Sequence, residues 1–163
     1  MSAHHQIIEG IVVKGKQLGR TIGFPTANIR PEKWEGHGPN GVYAAWCTVD
    51  GQRHPGMLNI GLHPTVPEGA PTVEINIFDF HDDIYGMRAV VETVAYLRSE
   101  VRFDSVDALR SQLKRDRQRS IAILGGEAGS PACPPHPRHR LNCRAGVPLH
   151  LPADVHSRRE VFS

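Results

Sequence analysis

The chain has 163 residues and a formal net charge of +2, a length that suits one domain with one substantial core. Residues 1–124 carry 14 basic and 14 acidic side chains, and this balance argues against a nucleic-acid partner, which would need a clustered positive field. No apolar run could span a membrane, no signal-peptide pattern opens the chain, and the 3 cysteines form no disulfide pattern; we therefore expect no membrane association and a cytoplasmic location.

The first predicted element is a strand over residues 7–13, which leads into a basic loop with regularly spaced glycines. The residues of this loop that suit a nucleotide phosphate are Gly15, Lys16, Gly19, Arg20 and Gly23. Glycines let the backbone approach a ligand closely, and successive N–H groups can surround phosphate oxygens. An exposed, mobile loop is the plainer interpretation and, on spacing alone, the commoner one.

Residues 10–17 also come close to a P-loop motif, but we reject that assignment. Gln17 stands where the motif needs a hydroxyl residue to hold the metal. Residues 11–13 are β-formers, which favour a strand over a tight phosphate loop.

The loop ends in the sequence GFPTAN, where Thr26 and Asn28 lie two residues apart. In an extended segment such residues point to the same face. A hydroxyl and an amide carbonyl are ligands that suit Mg²⁺, which usually takes few protein ligands together with substrate phosphates. The sequence therefore predicts a magnesium ion beside a nucleotide phosphate.

Most of the following segments are predicted to be strands. Residues 30–40 read as a turn-rich connection, and residues 41–50 and 52–60 as a hairpin around an Asp-Gly turn. Pro55 implies an edge position or an irregular start in the second of these strands. Residues 61–71, with three prolines, are predicted to form a loop.

The next predicted strand, residues 72–80, alternates between two faces. Val73, Ile75 and Ile77 point one way, and Glu74 points the other way as the only acid of residues 72–77. A strand carboxylate near the metal is a candidate proton acceptor, although on the pattern alone a surface acid paired with a neighbour is the commoner interpretation. Residues 87–97 are predicted to form another strand.

Helical signals begin only after residue 103. Ser105 is a plausible N-cap with Asp107 in the first turn, and Val106, Leu109 and Leu113 have helical apolar spacing. The charged run 114–119 is interpreted as the solvated face of this helix. Strands followed by one late helix predict a mainly β fold, an antiparallel barrel with a C-terminal α-helix.

The composition changes at residue 125. Residues 125–163 hold six of the 13 prolines and a single aromatic residue, too little apolar surface to offset chain entropy, so we expect a disordered tail behind a domain of residues 1–124. Cys133, His136, His139 and Cys143 are zinc-ligand types, but their spacing fits no finger pattern and incidental residues are the favoured interpretation.

An ordered set of motifs over residues 7–124 closely resembles the riboflavin kinases (flavokinases), as found in the kinase domain of bacterial bifunctional riboflavin kinase/FAD synthetases. The motifs are GFPTAN, GVYA, NIGLHPT, VEINIFDF, DIYG and LRSEVRF. The resemblance implies a six-stranded Greek-key barrel with a helix packed outside, and transfer of the ATP γ-phosphoryl to riboflavin to give FMN and ADP, with Mg²⁺. A flavin-binding module with little turnover is the alternative.

The resemblance also implies roles for individual residues. Glu74 matches the glutamate that activates the 5′-hydroxyl of the ribityl chain, and Arg98 and Phe103 match positions that contact the flavin. Thr26 and Asn28 match the metal site and, with the loop glycines and Asn76, the nucleotide side. Asn76 replaces a histidine common in the family, and His63 replaces an arginine. Because the chain begins almost at the barrel, we expect no FAD synthesis; a monomer is expected.

Overall fold

The computed structural model describes residues 4–15, 18–62 and 71–127. Six antiparallel strands close into a barrel in the order β1-β2-β5-β4-β3-β6. The strands are β1 (Gln6–Val13), β2 (Ala27–Gly36), β3 (Gly41–Val49), β4 (Gln52–Leu62), β5 (Pro71–Ile77) and β6 (Arg88–Arg98), and the helices are α1 (Leu18–Thr21) and α2 (Val106–Glu127). This arrangement confirms the predicted fold class.

Alternation along the strands fills the barrel interior with apolar side chains. Val73, Ile75 and Ile77 of β5 point inward, as predicted, and lie in one buried cluster with Ile8 and Tyr43 from β1 and β3. Since successive strand residues point to opposite faces, Glu74 and Asn76 lie on the outer surface of the same strand. The barrel thereby separates its core from the polar side chains that carry chemistry.

Helix α2 covers part of this outer surface and forms a second core. Leu124 of the helix packs with Met57 of β4, Leu97 of β6 and Phe78, which directly follows β5. The helix begins as predicted: the backbone N–H of Ala108 donates to Ser105 Oγ at 3.1 Å, and Asp107 lies in the first turn. This second apolar core fixes α2 against the barrel wall.

The β3–β4 hairpin also matches its prediction. Asp50 and Gly51 both have positive φ angles, 52° and 73°, as a tight hairpin turn requires. Pro55 pairs with β3, whereas pairing with β5 begins only at Gly56. The missing N–H of Pro55 therefore costs no ladder hydrogen bond.

Three expectations about the elements are wrong. Residues 30–36 form the second half of β2 and not a connection, because a register shift opposite Glu9 and Gly10 accommodates Pro31 in the ladder. Helix α1 interrupts the glycine loop, where no helix was predicted. Within the charged run 114–119, Asp116 is fully buried, so only part of this run is solvated.

Most of the predicted tail lies outside the described residues. The domain boundary expected at residue 124 falls inside α2, which continues to Glu127. The chain divides into two units, Met1–Ala132 and Cys133–Ser163, and the second, with the hypothetical zinc ligands, is not described. Among the described residues, no helix has the length and apolar character needed to cross a membrane.

Candidate functional site

Polar side chains of three neighbouring strands form a row on the outer surface of the barrel. Glu74 of β5 lies directly opposite Asn28 of β2 on one side and Asn59 of β4 on the other. Residues directly opposite each other in antiparallel strands project to the same face with Cβ atoms about 5 Å apart. The row therefore brings the predicted proton acceptor next to one of the two predicted metal ligands, and adds Asn59, which the sequence did not single out.

Glu74 is half-buried and has no ion-pairing partner within the described parts of the chain. Glu9 of β1, by contrast, accepts from Arg88 Nη1 at 2.6 Å. The described residues therefore hold no pairing neighbour of the kind that the surface-acid interpretation of Glu74 needs. Its carboxylate is available for a ligand.

The glycine loop lies against the Asn28 end of this row. A Cβ atom at Gly15 would overlap the Asn28 carboxamide, with Oδ1 only 2.7 Å away. Gly15 is thus required because the loop backbone passes directly over the Asn28 side chain. Lys16, the next predicted nucleotide residue, lies outside the described residues.

A second glycine shapes the chain around Thr26. The backbone N–H groups of Ile22 and Phe24 both donate to the Gly19 carbonyl, at 3.2 and 2.8 Å. A Cβ atom at Gly19 would overlap the Phe24 carbonyl oxygen and lie 3.5 Å from Thr26 Cγ2. Helix α1 and the turn after it therefore fold tightly enough to place Gly19 beside the second predicted metal ligand.

A cavity of about 450 Å³ opens at this end of the barrel. Its apolar floor is built by barrel-core residues such as Val12, Ile75 and Ile84, and two of the predicted nucleotide residues, Arg20 and Thr26, line it. The remaining predicted loop residue, Gly23, has a φ angle of +85°, and a Cβ atom added there would point into open space. Gly23 therefore provides the positive φ angle that the turn needs, and it does not line the cavity.

The loop between β5 and β6 closes the far side of this cavity. Asp82, Asp83 and Tyr85 line it, and the Tyr85 backbone N–H donates to Asp83 Oδ1 at 3.0 Å. Lys14 Nζ lies 5.6 Å from the centre of the Tyr85 ring. From the sequence, this segment was recognised only as the DIYG motif, and no functional role was predicted for its residues.

Asn76 joins the β5 strand to the GFPTAN segment. Its side-chain Nδ2 donates to the Pro25 carbonyl at 2.6 Å, while only 4% of the residue is exposed. Its Oδ1 is buried and has no hydrogen-bond partner among the described residues. Asn76 therefore fixes the residue next to Thr26.

The two predicted flavin residues also lie together, at the end of β6. The Arg98 guanidinium carbon is 5.7 Å from the centre of the Phe103 ring, within the distance for a cation–π contact. Arg98 also forms an ion pair with Asp116 at 2.8 Å. Its side chain is only 17% exposed, so the simpler interpretation of Arg98 as a surface charge is wrong.

The described residues contain no group of three or more His, Cys, Asp or Glu side chains that could hold a metal. A hydroxyl and an amide carbonyl with few other protein ligands suit Mg²⁺ held jointly with phosphate oxygens. Burial raises the pKa of the Cys47 thiol to about 12, so Cys47 is not a nucleophile at neutral pH.

The chain matches the family model described as riboflavin kinase over residues 2–124. It is 50% identical over 112 residues to an RNA-binding riboflavin kinase of Bacillus subtilis, covering 68% of this chain and 47% of that protein. It is 40% identical over 117 residues to the bifunctional riboflavin kinase/FMN adenylyltransferase of the same species, covering 70% of this chain and 37% of the relative.

A solved structure agrees with these matches. The crystal structure of riboflavin kinase from Trypanosoma brucei aligns with a TM-score of 0.55 at 27% identity, over 74% of this chain and 78% of that chain. The chain spans less than half the length of the two Bacillus relatives. With the family model matched across the barrel and α2, the chain belongs to the riboflavin kinase family.

Proposed function

We propose that this chain is a riboflavin kinase that transfers the γ-phosphoryl group of ATP to the 5′-hydroxyl of riboflavin. The observation that carries the proposal is the pairing of Glu74 with Asn28 on adjacent strands. It places a carboxylate that has no ion-pair partner among the described residues beside the segment that the glycine loop covers. A proton acceptor and a phosphate-binding segment must be neighbours for an alcohol to attack a phosphoryl group.

In this reaction the riboflavin 5′-oxygen forms a bond to the γ-phosphorus, the bond from that phosphorus to the β–γ bridging oxygen breaks, and ADP leaves. Glu74 orients the hydroxyl and accepts its proton. The loop backbone around Gly15 and Gly19 holds the phosphates, and the cavity lined by Arg20 and Tyr85 receives the rest of the nucleotide. Arg98 and Phe103 contact the flavin.

Thr26 and Asn28 would hold Mg²⁺, which supplies neutralisation of the charge on the phosphate oxygens. The donor set supports this, because both residues offer neutral oxygens that suit a hard cation carrying its own waters and phosphates. The contact between the Gly15 backbone and the Asn28 side chain keeps the phosphate-binding loop close to these oxygens.

Thr26→Ala is expected to raise the magnesium concentration that gives half-maximal rate and to slow turnover, because one ligand oxygen is lost. Titrating magnesium at saturating ATP and riboflavin measures the effect. Thr72→Ala is a matched control, since Thr72 is another half-buried threonine, but it lies on β5 and its hydroxyl donates to the Gly61 carbonyl at 3.1 Å. An unchanged magnesium requirement with a weakened affinity for riboflavin would show that the metal assignment is wrong.

The direct test of the proposed function is incubation of the purified chain with riboflavin and Mg-ATP, followed by chromatography for FMN. The proposal requires FMN to form in proportion to ADP. Riboflavin binding without FMN formation would instead favour a flavin-binding module with little turnover.

We further propose that the described barrel with α2 is the whole catalytic unit, a cytoplasmic monomer without a nucleic-acid partner. One relative is named as RNA-binding, but this chain covers only 47% of that protein. On the surface of α2, Arg117 pairs with Asp79 at 2.9 Å, so its charge is already engaged by the protein. A filter-binding assay, in which the protein should retain no RNA, tests the absence of a nucleic-acid partner. The molar mass in solution, which should be that of one chain, tests the monomeric state.

Truncation after Glu127 is expected to leave the melting temperature and the rate of FMN formation close to those of the full chain. Both apolar cores lie within the retained residues, and the cut preserves Leu124, which is 1% exposed. Thermal melting and FMN formation of the two proteins make the comparison. Insoluble or inactive truncated protein would show that residues 128–163 belong to the catalytic unit.

A further inference from the structure

Asp116 is a fully buried carboxylate on α2. Arg98 Nε donates to its Oδ2 at 2.8 Å, Arg98 Nη2 forms an ion pair with the same oxygen at 2.8 Å, and Gln112 Nε2 donates to its Oδ1 at 2.9 Å. A buried carboxylate is costly unless it is paired and hydrogen-bonded, and here both oxygens are satisfied. A solvated helix face, the role expected for residues 114–119, does not explain why Asp116 is buried.

The same contacts hold the Arg98 guanidinium in one orientation. Its third nitrogen, Nη1, donates to the Ser99 carbonyl at 3.0 Å, and Phe103 lies below at 5.7 Å. A guanidinium has five N–H donors in a rigid fork. With one N–H of each nitrogen engaged by the protein, the remaining two lie on Nη1 and Nη2 and are available to acceptor oxygens of a ligand.

We propose that Asp116 is a positioning residue for the flavin: it fixes Arg98 over Phe103 so that the two unused N–H groups face the ligand. This inference rests on the proposed function, in which Arg98 and Phe103 contact the flavin. It makes α2 part of the binding site through one buried charge, although Asp116 itself touches no substrate. Its loss should weaken flavin binding and leave the nucleotide side, at the glycine loop, unchanged.

Asp116→Asn tests the proposal because it keeps the size of the side chain and removes its charge. Loss of a charge-assisted contact should raise the dissociation constants for riboflavin and FMN, and the KM for riboflavin, by about tenfold. The turnover at saturating riboflavin and the KM for Mg-ATP should stay within about twofold. Quenching of flavin fluorescence gives the dissociation constants for both flavins.

Ser120→Ala is the matched control on the same buried side of α2. Ser120 is fully buried, and its hydroxyl has no hydrogen-bond partner among the described residues. Its removal should leave flavin affinity unchanged. A general loosening of α2 would weaken binding in both variants, and that result would overturn the assignment to Asp116.

Arg98→Lys separates this inference from the proposed function. If Arg98→Lys retains wild-type affinity for both flavins, the flavin assignment of Arg98 fails. If Arg98→Lys weakens binding and Asp116→Asn does not, the positioning role of Asp116 is wrong. The inference also requires the double variant to bind no more weakly than Arg98→Lys alone, because Asp116 acts through Arg98.

Should Asp116→Asn not fold, Gln112→Leu provides the readout, since it frees Asp116 Oδ1 and retains the ion pair. Its flavin dissociation constant should rise by about two- to threefold, as the loss of one ordinary hydrogen bond predicts. An unchanged constant in that variant would overturn the proposal.

Discussion

Glu74→Gln is expected to lower turnover by about two to four orders of magnitude, the range for loss of a general base. Glutamine keeps the shape of the side chain and can still hydrogen-bond the ribityl hydroxyl, but it cannot accept the proton. The KM for riboflavin and the melting temperature should change little, because Glu74 lies outside both apolar cores. Steady-state kinetics with saturating riboflavin and Mg-ATP measure the effect.

Glu92→Gln is the matched control for this substitution. Glu92 is another half-buried strand carboxylate, but it pairs with Arg53 at 3.4 Å on the β3–β6 side of the barrel. Its replacement should leave turnover unchanged. A Glu74→Gln variant with wild-type turnover would exclude both the proton-accepting and the orienting role, and a loss confined to KM would mark Glu74 as a binding contact only.

The size of the loss also distinguishes between those two roles. Phosphoryl transfer passes through a loose transition state in most analyses, so the attacking oxygen needs little deprotonation early in the reaction. A loss near a hundredfold therefore indicates that Glu74 mainly orients the hydroxyl, whereas a loss near ten-thousandfold indicates a full general base.

Gly15→Ala is expected to lower turnover by roughly a hundredfold at fixed magnesium, the cost that a displacement of about 1 Å can have in an active site. The added Cβ would overlap the Asn28 carboxamide, so either the loop or Asn28 must move. Affinity for riboflavin should be retained. Turnover and its magnesium dependence, measured alongside flavin binding, report the change.

Two further variants show whether Gly15 acts through Asn28. Gly125→Ala adds the same methyl group where no atom lies within 4 Å and should leave activity unchanged. Gly15→Ala combined with Asn28→Ala should be no slower than Asn28→Ala alone, since the overlap is then relieved. Additive losses would contradict the account, because they would require a separate role for Gly15.

The sequence predicted the barrel because its strands carry strong local signals. The alternation of residues 72–77 assigned the inward and outward faces of β5, and the Asp50-Gly51 turn fixed the β3–β4 hairpin with positive φ angles. The family resemblance supplied the six-stranded Greek-key topology, which periodicity alone does not give. The separate motifs around Asn28 and Glu74 predicted a shared site, and strand pairing makes the two residues neighbours.

Other features depend on contacts between distant segments, which no local pattern encodes. Asp116 looks like one more charge in a charged helix, and only its pairing with Arg98, 18 residues earlier, explains its burial. Pro31 and Gly36 suggested a turn, but the register shift beside Gly10 lets the strand continue through them. The glycine spacing likewise did not reveal that Gly15 contacts Asn28 and that Gly19 lies beside Thr26.

The central claim is phosphoryl transfer from ATP to riboflavin, and ATP labelled in its γ-phosphate tests it most directly. After incubation of the full chain with riboflavin, magnesium and labelled ATP, flavins are separated by chromatography and the label in each is measured. The account predicts label in FMN, in amounts equal to the ADP formed. Label that remains in ATP, or appears only as inorganic phosphate while riboflavin is bound, would contradict it.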